Sequence, residues 1–177
     1  MAQRRAKIPS ILLCAAILGA AIPTSQGAEE SLEYQVKAAF LLNFVKFVEW
    51  PESAFADGNS SISICILGDD PFGKTLDQLI AGETVNGRKL AVERVRRIPP
   101  LKSCQVLFVN KSEQLLPALG PGVLTVGEGD HFVREGGIIG FVIDKRRVRF
   151  DINQTAAEKA ELKLSSKLLS VARSVEK

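Results

Sequence analysis

Residues 33–51 read EYQVKAAFLLNFVKFVEWP. At 3.6 residues per turn, Val36, Phe40, Phe44 and Phe47 fall in one stripe with Leu41, Val45 and Val48 beside it, while Gln35, Lys46 and Glu49 lie opposite. Pro51 stops the helix. Lys37, Asn43 and Lys46 interrupt the apolar run, so the helix is not a membrane span. Glu33 and Lys37 sit inside the apolar arc, four residues apart with the acid on the N-terminal side, and are expected to pair. Trp50, just before the proline, reads either as packing for the helix end or as an interface anchor.

Upstream, residues 1–27 have a secretory signal layout. Arg4, Arg5 and Lys7 precede an apolar core from Ile8 to Ile22, and small or polar residues come next at Ser25 and Gly27. The core contains Pro9 and Ser10 and is shorter than the ~20 residues that span a bilayer, so cleavage after Gly27 is expected. Leu13 before Cys14 does not fit a lipoprotein site, and the Arg4–Arg5 pair lacks the context of a twin-arginine signal. The mature segment, 28–177, is long enough for one domain with a sizeable core. It carries 20 basic and 20 acidic residues, because the three cations of the signal no longer count. Nothing in that balance points to nucleic acid.

Two cysteines remain, Cys65 and Cys104, and an oxidising compartment makes a disulfide between them the expectation. Cys65 lies in a strand at Ile62–Leu67 and Cys104 just before one at Gln105–Val109, which are neighbours in a simple α/β sheet. Two buried thiols are the alternative.

Further along, Asp70 with Pro71 reads as the start of a short helix over Phe72–Ala81, closed by Gly82. Lys89–Val95 reads as a strand after the Asn86–Gly87 turn, and Ser112 as a helix cap before Pro117. Val123–Val126 is a further strand. Ile138–Ile143 and Arg147–Ile152 form a hairpin, the second strand alternating Val148, Phe150 and Ile152 with Arg147, Arg149 and Asp151. The C-terminal segment reads as helix, with Leu168, Val171 and Val175 on one stripe and a break at Ser165. The fold expected is α/β, a three-layer sandwich around a mostly parallel sheet with a late antiparallel hairpin.

Candidate sites are few. GDDPFG joins a strand to a helix, but Asp69 and Asp70 put carboxylates where a phosphate would bind and no Walker lysine is present. Two adjacent aspartates do not make a metal site. His131 beside Asp130 has no nucleophile motif to serve. Lys145, Arg146, Arg147 and Arg149 form a basic cluster, echoed by Arg94, Arg96 and Arg97, that reads either as an acidic-partner surface or as the guard of a sheet edge.

The helix with its WP ending, ICILGDDPFG at 64–73, FDIN at 150–153 and LKLSSKLLSVA near the C-terminus resemble the YfiR family of periplasmic repressor proteins. The resemblance implies a non-enzymatic, exported α/β protein without a cofactor, which binds the sensory domain of an inner-membrane diguanylate cyclase and lowers cyclic di-GMP. For such a partner, the basic cluster and the tryptophan read above make Trp50, Arg146, Arg147 and Arg149 the candidates for the interface; no direct membrane insertion is expected after signal cleavage, and a homodimer stays open. A periplasmic small-molecule binding protein is the rival reading, and an enzyme the third.

Overall fold

The computed structural model describes residues 25–100, 102–110 and 119–177, with side chains from residue 31 onward. Nearly all of the expected signal, the Ser112 cap and Pro117 lie outside the described residues. Helix α1, Ser25–Phe47, precedes two short elements, strand β1, Val48–Glu49, and a 3-10 turn, Glu52–Ala54. Then come β2, Ile62–Leu67, α2, Lys74–Ile80, β3, Thr84–Val85, β4, Arg88–Val95, and β5, Val106–Val109. The second half contains β6, Leu124–Glu128, β7, Ile139–Asp144, β8, Arg147–Asn153, α3, Gln154–Lys159, β9, Lys163–Leu164, α4, Ser166–Val171, and β10, Ser174–Glu176.

Eight strands form one sheet in the order β10-β8-β7-β6-β5-β2-β4-β3. Pairing is parallel except at the β7–β8 hairpin and at the β3–β4 edge. The central strands β2 and β5 are buried on both faces, which is why ISICIL and VLFV read as apolar runs rather than alternating ones. One face carries Ile64, Ile66, Val106, Phe108, Phe141 and Phe150 and packs against the helices. Phe44 of α1 lies 5.7 Å from the Phe141 ring and 5.0 Å from Phe150. The other face carries Cys65, Leu107 and Val109, covered by Phe132 from the turns between β6 and β7. Gly127 and Gly137 admit that ring, since a Cβ at either would sit 2.1 or 2.2 Å from it. Cys65 and Cys104 are joined under this cover as a disulfide, with their Cα atoms 5.9 Å apart. The chain is thus α/β as expected, with helices packed on a mostly parallel sheet and a late antiparallel hairpin.

Several local expectations change. The stripe on α1 is rotated, for Ala38 and Leu42 are buried while Val36 is 38 % exposed. The helix ends at Phe47, before Pro51, because Val48 and Glu49 pair with Leu164 and Lys163 and the Phe47 carbonyl accepts from Ser165 N–H. Helix α2 starts at Lys74, two residues late. Asp70 Oδ1 accepts from Phe72 N–H at 2.8 Å and Gly73 N–H at 3.2 Å, capping a turn, and Gly73 at φ 54° separates that turn from the helix. At the C-terminus, Ser165 does cap α4 through Leu168 N–H, but Val175 lies in β10, paired with Ile152, rather than on a helical stripe. Pairing with a waiting sheet edge outweighs the weak local preference of so short a segment.

Candidate functional site

Lys37 is 3 % exposed, and an ammonium buried to that degree needs partners. Its Nζ donates to Glu33 Oε1 one turn back and to Glu128 Oε1 at 2.6 Å. Glu128 closes β6 and also accepts from Tyr34 Oη at 3.3 Å, while the Lys37 ammonium stands 4.5 Å from the Tyr34 ring centroid. The middle turns of α1 are therefore tied to the sheet through one carboxylate. Helical spacing points to Glu33, whereas nothing local in the sequence marks Glu128.

Double-mutant cycles on unfolding test this arrangement. Lys37→Met with Glu128→Gln is expected to show coupling of about 1–2 kcal/mol, larger than for Lys37→Met with Glu33→Gln, because Glu128 is the less exposed carboxylate (22 % against 32 %). Additivity within ~0.3 kcal/mol in both cycles would contradict it.

The same turns of α1 form one wall of an open groove of about 560 Å³. Leu32, Val36 and Phe40, spaced four apart, line it from the helix, and Ile143 and Val148 line it from the β7–β8 hairpin. Leu32 and Ile143 are more than half exposed, unusual for apolar side chains of this size. Arg146 and Arg147 line its polar rim, with Glu33 opposite, already engaged by Lys37. Lys145 and Arg146 make the tight hairpin turn with φ of 48° and 63°. Left-handed backbone at two successive positions favours Asn-Gly, so two long cations here carry backbone strain.

The other candidate residues are dispersed. Arg149 is exposed on the face of β8 away from α1 and does not line the groove. Trp50 is half-buried against the main core, and its indole N–H donates to the Gln105 carbonyl at 3.2 Å. Arg94 is engaged within the chain. Its guanidinium holds Asp77 and Asp70 and donates to the Gly73 carbonyl, fixing the start of α2. The hydrogen bond to Asp77, reinforced by Asp70, raises its pKa further, and the Arg94 hydrogen bond lowers that of Asp77. His131 is exposed, with Nδ1 2.9 Å from Arg134 Nη2, and Asp130 turns instead to Arg173. Among the described residues one cluster, Cys65, Glu93 and Cys104, has the atom types of a metal site, and its two sulfurs are bonded to each other. No described helix is long and apolar enough to cross a membrane.

A family model described as YfiR/HmsC-like matches residues 34–173, from the first half of α1 to the residue before β10. No curated protein matches the chain.

Proposed function

Because the chain belongs to the YfiR/HmsC-like family, we propose that it is a periplasmic regulator without catalytic activity that binds the sensory domain of an inner-membrane diguanylate cyclase and holds the enzyme inactive. The observation that carries a binding role is the groove between α1 and the β7–β8 hairpin, where exposed Leu32, Val36 and Ile143 meet a rim of arginines. Apolar area left open in this way, with charge at its border, is the anatomy of a protein docking surface. Repression arises by population shift. A regulator that binds the inactive conformation more tightly than the active one lowers the active fraction by that ratio of affinities, with no chemistry of its own.

The groove lies in the part of the chain beyond the secretory signal, so the encounter takes place outside the inner membrane. Spheroplasts expose that surface. Adding the purified mature protein to spheroplasts of a strain lacking it is expected to lower synthesis of cyclic di-GMP from endogenous GTP. Unchanged synthesis at saturating protein would overturn the proposal.

A further inference from the structure

We propose that the groove receives an amphipathic helix of the partner, with one apolar stripe and acidic residues along its flank; this rests on the docking reading above and names the occupant. The wall formed by Leu32, Val36 and Phe40 is an i, i+4, i+8 row, the ridge against which a second helix packs. Further along α1, Phe44 and Phe47 face α4 across a second pocket that Leu168 and Val171 line with them. No described helix covers the row from 32 to 40, so a helix laid there continues the layer that α4 begins. Ile143 and Val148 supply the floor at the hairpin.

Charge selects the flank. Lys145, Arg146 and Arg147 are three successive exposed cations at the hairpin end, and Glu33, the acid among the described residues lining the groove, is engaged by Lys37. A second copy of this chain would bring the same cations against one another. An acidic helix is complementary. The turn supplies an independent indication. Lys145 and Arg146 occupy left-handed positions where Asn and Gly would be less strained, and strain retained at a surface is a mark of use.

The test uses three synthetic 18-residue peptides and fluorescence anisotropy on the mature protein. One carries a leucine stripe at helical spacing with glutamates on its flanks, the second replaces those glutamates with lysines, and the third arranges the acidic composition in strand alternation with β-branched residues. The acidic helix is expected to bind at least ~10-fold more tightly than the basic one in low salt, the difference shrinking toward 1 M salt as charges are screened. Ile143→Asp is expected to weaken its binding ~10-fold or more, by placing a charge on the apolar floor. The double variant Lys145→Asn, Arg146→Gly is expected to raise the thermal midpoint while weakening binding ~5-fold or more, which separates recognition from folding. Equal binding of the acidic and basic helices, preference for the strand peptide, or full affinity in the turn variant would each overturn the proposal. If none of the peptides binds while spheroplast cyclase is still inhibited, the helical occupant is overturned and the repressor reading stands.

Discussion

Phe44→Ala is expected to destabilise the domain by about 3–5 kcal/mol, the range for removing a fully buried phenylalanine from a packed core. Phe44 has no exposed surface and its ring sits among three others, at 6.0 Å from Phe40, 5.7 Å from Phe141 and 5.0 Å from Phe150. Those rings come from α1, β7 and β8, so the cavity would open where the helix meets the hairpin. For a domain of this size the loss corresponds to a fall in thermal midpoint of roughly 10–15 °C. Val36→Ala, eight residues earlier on α1 but on the groove side, should change stability by about 0.5 kcal/mol or less. Urea unfolding of the two variants checks the contrast. Equal losses would mean that the helix is not oriented as described.

Removing the disulfide should have a comparable effect by a different route. The bridge spans a sequence separation of 39, and closing a loop of that length removes about 4 kcal/mol of unfolded-state freedom in the chain-entropy model. Cys65→Ala with Cys104→Ala is therefore expected to lower the thermal midpoint by roughly 10 °C. Reducing agent should bring the wild-type protein to a similar midpoint while leaving the double variant unmoved. Thiol labelling of denatured, unreduced protein recovered from the periplasm should find neither cysteine free. Two reactive thiols per chain, or a double variant as stable as the wild type, would contradict the bridge.

The features legible in the sequence are those that depend on neighbours along the chain. The buried strands β2 and β5 announce themselves because strands covered on both faces are apolar throughout, and the Glu33–Lys37 pair because four residues make one helical turn. The Ser165 cap is readable from a hydroxyl able to reach an amide three residues on. Contacts made across the sequence are not legible in this way. Glu128 stands 91 residues from Lys37 and reads locally as a strand end before a glycine. The groove needs Leu32 and Val36 beside Ile143, and no periodicity in either segment records that meeting. The basic cluster is legible as composition, whereas its division between Arg146 and Arg147 on the groove and Arg149 away from it depends on how the hairpin lies against α1.

If this protein restrains a cyclase from outside the inner membrane, as we propose, cyclic di-GMP must respond in three strains. Deleting the gene is expected to raise cyclic di-GMP and surface attachment, because removing a ligand that favours the inactive state releases the active fraction. Restoring residues 1–177 should return both to the starting level. Restoring residues 28–177 alone should not, since that protein remains on the wrong side of the membrane. Unchanged cyclic di-GMP on deletion, or full rescue by the unexported form, would contradict the account.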